Sequence, residues 1–219
     1  MRRSLAGAAC AVAFLTLPLG TAASSTTTCS GHLGPGTFGH VVVPPGASCS
    51  IGGIAGATSL QSLRVRPGAG PVDLNRTTIR GDLRYSGRVS LAFDIGSSVA
   101  RDLEITDAAG SILLSNAAVD RDVRIVDSRL TRLRLYLMWI EGSLKIERTS
   151  VAGACPRACA MLMSTVKKNV LFSANRTTKP FRFERATIAG ELTCSGNVPA
   201  PTGAGNTIGK RRGQCKAIG

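Results

Sequence analysis

A seven-residue pattern that returns about every twenty residues is the feature that most constrains this chain. Its first, fifth and seventh positions are apolar, aromatic or cysteine, and its fourth position is polar. A single unit of this kind cannot bury its apolar face, so the pattern predicts stacked units. The six copies start 20, 20, 21, 26 and 22 residues apart, at 79–85, 99–105, 119–125, 140–146, 166–172 and 188–194.

Short alternations of apolar and polar residues fill the rest of each repeat, as in Val72-Asp-Leu74 and Phe181-Arg-Phe183. Apolar residues two apart predict strands with one buried face. Stacking the repeats then places one residue of each copy in a single internal column. That column is Leu83, Leu103, Val123, Leu144, Val170 and Leu192.

We therefore predict an all-β fold, a parallel β-helix of about six to seven coils of about 20 residues, with disulfides at both ends. Strands of neighbouring coils should lie about 4.8 Å apart, and a right-handed sense is the expectation. A pentapeptide-repeat helix needs a large buried residue every five positions, a step that this chain does not keep. An antiparallel β-sandwich remains the alternative, although it would not explain the recurring polar position.

The first 23 residues predict a secretory signal peptide. Arg2 and Arg3 precede an uncharged apolar stretch at 5–20, and 21–23 are small residues typical of a cleavage site. The alternative, an uncleaved anchor, is disfavoured because the apolar run is shorter than the roughly 20 residues that a span needs. We predict a secreted, extracellular protein with no integral membrane span after cleavage.

The remaining chain is predicted to form three parts. An N-terminal cap occupies 24–58, the β-helix repeats occupy 59–194 with an insertion at 149–165, and a C-terminal cap occupies 195–219. This length suits one domain with a sizeable core.

Six cysteines remain once Cys10 leaves with the signal peptide. An even number in an exported chain favours disulfides. Cys29 and Cys49 bracket the N-terminal cap, and Cys194 and Cys215 bracket the C-terminal tail, so we pair them in that way. Each bridge closes a loop of about twenty residues and would stabilise the fold by about 3 kcal/mol.

The last pair, Cys155 and Cys159, lies in the insertion and is predicted to form a structural disulfide. The functional alternative is a redox or metal site. The Cys-x-x-x-Cys spacing matches neither a Cys-x-x-Cys redox motif nor a common zinc pattern.

Five features of the sequence resemble one group of proteins. They are 192–197 (Leu-Thr-Cys-Ser-Gly-Asn), 203–209, 213–215, 43–49 (Val-Pro-Pro-Gly-Ala-Ser-Cys) and the Gly-Asp-Leu coils. In them the chain resembles small secreted actinobacterial proteins with β-helical repeats and no assigned activity. The resemblance covers nearly the whole mature chain, and it implies a fold rather than a mechanism.

Asp82, Asp102 and Asp122 occupy the same repeat position and should stack at a turn. Carboxylates about 5 Å apart repel unless something neutralises them. A bound Ca²⁺ would do so, as in polysaccharide lyases with this fold. Neighbouring arginines or turn amides would also do so. We predict no metal or other cofactor, with Ca²⁺ at these three aspartates as the alternative.

The chain is strongly basic, with a net charge of +14, or +12 without Arg2 and Arg3. An outward row of cations could attract an anionic polymer, which outside a cell would be a cell-wall polymer or an acidic polysaccharide. Nucleic acid is not predicted, because the chain has few aromatic residues and no recognition motif. The candidate contacts are Arg84, Arg124, Arg132, Arg134 and Lys145.

The segment 136–139 interrupts the alternation and holds the only tryptophan, Trp139. We expect Trp139 to pack beneath the insertion. The alternative is an exposed ring next to Arg132 and Arg134 that contacts a sugar or a partner.

Signals for an enzyme are weak. The two histidines, His32 and His40, lie in the predicted N-terminal cap, and repeat position places no serine and aspartate with them. We therefore predict a secreted, non-enzymatic structural or binding protein of the cell surface or extracellular space. The alternative is a small polysaccharide-lyase-like enzyme that uses the stacked aspartates. The oligomeric state is not predicted.

Overall fold

The computed structural model describes residues 25–53, 56–94, 96–153 and 159–219. These residues contain 26 strands and one short 3₁₀ helix, Gln214–Ala217. The strands are β1 (Thr26–Thr28), β2 (Gly31–Leu33), β3 (Gly36–Val43), β4 (Cys49–Gly52), β5 (Thr58–Val65), β6 (Val72–Asn75), β7 (Thr77–Ile79), β8 (Leu83–Tyr85), β9 (Ser90–Phe93), β10 (Ser98–Val99), β11 (Leu103–Thr106), β12 (Ala109–Ser115), β13 (Ala118–Val119), β14 (Val123–Val126), β15 (Arg129–Tyr136), β16 (Trp139–Ile140), β17 (Leu144–Glu147), β18 (Ser150–Val151), β19 (Cys159–Leu162), β20 (Thr165–Val166), β21 (Val170–Ser173), β22 (Arg176–Thr177), β23 (Arg182–Glu184), β24 (Thr187–Ser195), β25 (Thr202–Ala204) and β26 (Thr207–Gly213).

The strands stack into a parallel β-solenoid of about eight turns of about 21 residues. Within the described part of the chain, every pair of neighbouring strands is parallel, which confirms the predicted fold class and excludes an antiparallel sandwich. Strands β1 to β4 and β25 to β26, in the segments predicted as caps, also pair in these sheets. The stack is therefore longer than the repeat pattern alone indicated.

Each coil contributes strands to three faces. The first face contains β7, β10, β13, β16, β20 and the start of β24. The second face contains β8, β11, β14, β17, β21 and the end of β24. The third face contains β2, β4, β6, β9, β12, β15, β18, β19, β22, β23 and β25.

The apolar positions of the repeat form continuous internal columns. Leu83, Leu103 and Val123 are register neighbours, and all the first, fifth and seventh positions of the six copies are buried. Full burial of such a side chain stabilises the fold by roughly 1.5–3 kcal/mol. Near the C-terminal end, three stacked phenylalanine rings fill the interior, with centroids 4.8 to 5.6 Å apart: Phe172, Phe181 and Phe183.

The corner between the second and third faces shows how this chain turns without long loops. A residue with positive φ makes each turn, and the residue after it points inward: Ser128, Thr149, Asn175 and Asn197 are all buried. Asn175 Oδ1 accepts the N–H of Thr149 at 3.0 Å, and Asn197 Oδ1 accepts that of Asn175 at 3.1 Å. These side chains satisfy buried peptide groups that would otherwise destabilise the corner.

Disulfides lie near both ends of the stack, as predicted. Cys29 bonds to Cys49 and Cys194 bonds to Cys215. The 3₁₀ helix carries Cys215 and lies against β24 and β26, and Ile218 after it is buried in the core. The C-terminal segment therefore covers the apolar interior.

Two predictions fall outside the described residues. The signal peptide at 1–23 is one of them. The pairing of Cys155 with Cys159 is the other, because Cys155 is not described, although Cys159 is disulfide-bonded. No helix in the described ranges is long and apolar enough to cross a membrane.

Candidate functional site

The stacked aspartates lie at the turn between the first and second faces, where Asp102 and Asp122 accept peptide N–H groups of the next coil. Asp102 Oδ1 accepts the N–H of Asp122 at 3.1 Å, and Asp122 Oδ1 accepts that of Ser143 at 2.8 Å. Asn169 repeats the contact with Glu191 at 2.9 Å. The turn-amide interpretation thus accounts for this polar position in the coils of Asp102, Asp122 and Asn169.

Around Asp102 and Glu104 the same turn offers little room for a ligand. Among the described residues, no group of three or more His, Cys, Asp or Glu side chains could hold a metal ion. A shallow pocket of about 160 Å³ lies beside the stack, below the roughly 300–1,000 Å³ of typical ligand sites. It is lined by Asp82, Arg84, Asp102, Glu104 and Arg124.

Three of the five candidate cations share one outward row on the second face. The register runs from Arg84 through Glu104 and Arg124 to Lys145. Arg84 Nε lies 3.6 Å from Glu104 Oε2, and Lys145 Nζ lies 2.7 Å from Glu147 Oε2. The outward row of the second face therefore carries both positive and negative charges.

Lys145 and Arg148 also perturb Glu147. The hydrogen bond from Lys145 lowers the pKa of the Glu147 carboxyl below its usual range, and the charges of Lys145 and Arg148 lower it further. Arg148 also forms a bidentate ion pair with Asp127: Nε donates to Oδ1 at 2.6 Å, and Nη2 donates to Oδ2 at 2.9 Å. Carboxylates here already have cationic partners.

The other two candidates, Arg132 and Arg134, lie on the third face. The structure adds three arginines to them, and we call the five together the third-face arginine set: Arg129, Arg132, Arg134, Arg176 and Arg182. Three lie on β15 and two lie two coils away, so the rows are about 10 Å apart. The coil between them places Ser150 between Arg129 and Arg176, and Ala160 between Arg134 and Arg182.

The third-face arginine set has few anionic partners. Arg129, Arg132 and Arg176 are exposed and form no ion pair with any described residue. Arg182 pairs with Glu184, and the Arg134 guanidinium stands 5.2 Å from the centroid of the Tyr136 ring. Sequence reasoning missed Arg176 and Arg182 because the irregular 26-residue coil hides which third-face positions coincide. It missed Arg129 because a bulge in β15 breaks the alternation between Leu130 and Arg132.

Trp139 lies on the first face with 44 % of its surface exposed, so the expectation that it packs beneath the insertion was wrong. Met138 and Ile140 point inward, and alternation turns the residue between them outward. The indole N–H donates to Glu141 Oε1 at 2.5 Å, and Lys167 Nζ stands 4.4 Å from the ring centroid.

One contact that repeat position did not suggest joins His40 and Ser62 in adjacent coils. Their Nδ1 and Oγ atoms are 2.7 Å apart, beside a pocket of about 320 Å³ that also includes Arg64, Arg84 and Arg101. A nucleophilic serine needs a base that a third group orients. Within the described ranges, no third side chain hydrogen-bonds the His40 ring, so the pair does not form a triad.

Comparison with known proteins identifies no relative: no protein-family model, curated protein or solved structure matches the chain. The fold and the exposed side chains are therefore the evidence on which a function is argued.

Proposed function

We propose that the protein is a secreted, non-enzymatic binding protein of the cell surface or extracellular space, and that its third face binds an anionic polymer. The polymer is a cell-wall polymer or an acidic polysaccharide. The observation that carries this proposal is the third-face arginine set, in which Arg129, Arg132 and Arg176 are exposed without a carboxylate partner.

The chemistry of arginine supports this choice of ligand. A guanidinium presents a planar fork of donors that matches carboxylate, sulfate and phosphate groups. Two rows of such forks on a rigid sheet suit a ligand with repeated negative charges. The net positive charge of the chain adds long-range attraction.

The cysteines support an extracellular setting. Disulfides persist in oxidising compartments, and this chain has two at the ends of its solenoid. A stack held at both ends suits a scaffold that displays one face.

Two charge-matched variants test the proposal. Arg129→Ser/Arg132→Ser/Arg176→Ser removes three cations from the third face, whereas the control Arg64→Ser/Arg101→Ser/Arg124→Ser removes three exposed cations elsewhere. Titration with polygalacturonate at moderate salt should show about a tenfold or greater loss of affinity for the first variant. The control should lose less than about threefold, since it changes only the net charge.

An equal loss in both variants would contradict the proposal, because it would indicate attraction to the net charge alone. Thermal melts with and without Ca²⁺ address the lyase-like alternative. A Ca²⁺-dependent rise in the midpoint that disappears in Asp102→Asn would favour that enzyme and its stacked aspartates.

A further inference from the structure

The corner between the third and first faces carries two apolar residues in an unfavourable conformation. Asn116, Leu137, Met163, Arg185 and Gly205 make successive turns there, with φ between 46° and 66°. Asn and Gly adopt this left-handed conformation at low cost, whereas Leu and Met do not. Leu137 is 42 % exposed and Met163 is 40 % exposed, so neither compensates by filling the core.

These two residues and Trp139 form one exposed apolar group, which we call the apolar corner. Five large hydrophobic residues are exposed in the described ranges, and three of them belong to the apolar corner. They lie on two successive coils: Leu137 donates its N–H to Leu162 O, beside Met163, and Trp139 pairs in register with Thr165. Exposed apolar residues that cluster in this way, unlike single ones, are a candidate for a binding surface.

Trp139 combines an apolar ring with polar groups held at fixed positions. Glu141 accepts the indole N–H, and Lys167 stands over one side of the ring. A sugar ring offers the same combination, with an apolar C–H face and a rim of hydroxyl groups. Lys167 Nζ, 4.4 Å from the ring centroid, places a positive charge beside the surface on which an acidic sugar would pack.

A pocket of about 370 Å³ continues the apolar corner along the stack, and its size is that of a small-ligand site. Leu162, Met163 and Ala204 supply an apolar lining, while Glu184 and Arg185 supply a carboxylate and a guanidinium. Glu184 is also the partner of Arg182. The pocket therefore adjoins the third-face arginine set directly.

We propose that the bound polymer is an acidic polysaccharide, and that its sugar rings pack on the apolar corner and in the adjoining pocket while its acidic groups contact the third-face arginines. The inference rests on the proposed function and deepens it. The apolar corner should favour a polymer that contains sugar rings. A polyphosphate carries negative charge but offers no apolar surface, so it should not make these contacts.

The single tryptophan makes the inference measurable in the mature protein, because all indole fluorescence comes from Trp139. Polygalacturonate should change the emission of Trp139 along the same saturation curve as its binding measured by calorimetry. Long-chain inorganic polyphosphate, matched for charge, should leave the emission unchanged even where it binds the arginines. Dextran, a neutral polysaccharide, should bind more weakly than polygalacturonate.

Leu137→Asn/Met163→Asn removes apolar surface at the corner and keeps residues that tolerate a positive φ, as Asn116 does in the same column. The affinity for polygalacturonate should fall about tenfold, whereas the affinity for polyphosphate should not change. Ala174→Asn, at the exposed positive-φ position of another corner, is the matched control and should change neither affinity.

Three outcomes would overturn the inference. If polygalacturonate binds without changing the emission of Trp139 and with the same affinity for the double variant, this result would limit binding to the third-face arginine set. Equal sensitivity of polyphosphate binding to the double variant would contradict the choice of a sugar ligand. Concentration-dependent self-association that the double variant abolishes would assign the apolar corner to a second copy of the chain. Absence of binding by both polyanions would instead refute the proposed function itself.

Discussion

The second and third faces of the solenoid share one interior and both carry exposed cations, yet they differ in what surrounds those cations. On the second face, Glu104 lies between Arg84 and Arg124 in the register, and Glu147 forms an ion pair with Lys145. Carboxylates at ion-pair distance neutralise much of that surface.

On the third face, the residues between the arginines are small and neutral. Ser150 separates Arg129 from Arg176, and Ala160 separates Arg134 from Arg182. The side chains of adjacent coils, and not the basic residues alone, therefore decide which face of a solenoid can bind an anion.

The shared interior predicts the largest effect. Leu103→Ala removes a buried side chain between Leu83 and Val123 and leaves a cavity, so the free energy of unfolding should fall by about 2–5 kcal/mol. Denaturant titration with the disulfides intact measures this. Arg124→Ala, an exposed change on the same face, should alter stability by no more than about 0.5 kcal/mol. Similar effects of the two substitutions would show that the columns do not hold the stack together.

Tyr85 is a polar exception in the interior behind the second face, because its hydroxyl is buried without a hydrogen-bond partner. Burial raises the pKa of Tyr85 to about 12, so folding favours the neutral phenol. Its contribution to stability is complete below pH 10 and is lost between pH 10 and 12. Tyr85→Phe should remove that alkaline loss and raise the free energy of unfolding by about 1 kcal/mol at neutral pH.

Melting curves of the wild type and of Tyr85→Phe between pH 8 and pH 11 test this prediction, with Tyr136→Phe as an outward-facing control. A parallel loss of stability in the wild type and Tyr85→Phe would rule out Tyr85 as its cause.

Removing one carboxylate from the second face should reduce the difference in anion affinity between the second and third faces. Glu104→Gln leaves Arg84 and Arg124 without the glutamate between them, so the affinity of the second face for polygalacturonate should rise about two- to fivefold. Asp120→Asn changes the net charge equally outside this row and should have a smaller effect. Calorimetry compares the two; equal gains would mean that local pairing does not control binding.

The smallest effect concerns Glu147. Its lowered pKa means that the ion pairs stabilise the fold at pH values above the usual glutamate pKa, and that this contribution is lost as the pH falls through the lowered value. Lys145→Gln should move the pKa of Glu147 back towards its usual range, as an NMR titration of the carboxyl carbon would show. Lys179→Gln, which lies on another face, should leave it unchanged.

The internal columns could be predicted from the sequence because period and polarity coincide there. Leu103 and Val123 recur twenty residues apart, and strands twenty residues apart must stack if the chain forms a solenoid. The end disulfides could be predicted because Cys29 and Cys49 bracket the segment before the repeats, and Cys194 and Cys215 bracket the tail after them.

The candidate site was less predictable, because it depends on residues whose spacing varies. Arg134 and Arg182 coincide only after an irregular coil is placed, and Asn175 stacks on Asn197 through a corner with no apolar signature. Trp139 was misplaced because the large ring suggested burial, whereas the inward position of Ile140 turns it outward.

Arginine footprinting tests directly whether the third face binds the polymer. The mature protein would be treated with phenylglyoxal with and without polygalacturonate, and modification would be read by mass spectrometry at each arginine. We predict that the polymer protects Arg129, Arg132 and Arg176, while Arg64 and Arg124 stay reactive. Protection of Arg64 and Arg124 alone, or uniform protection of all five, would contradict the assignment of binding to the third face.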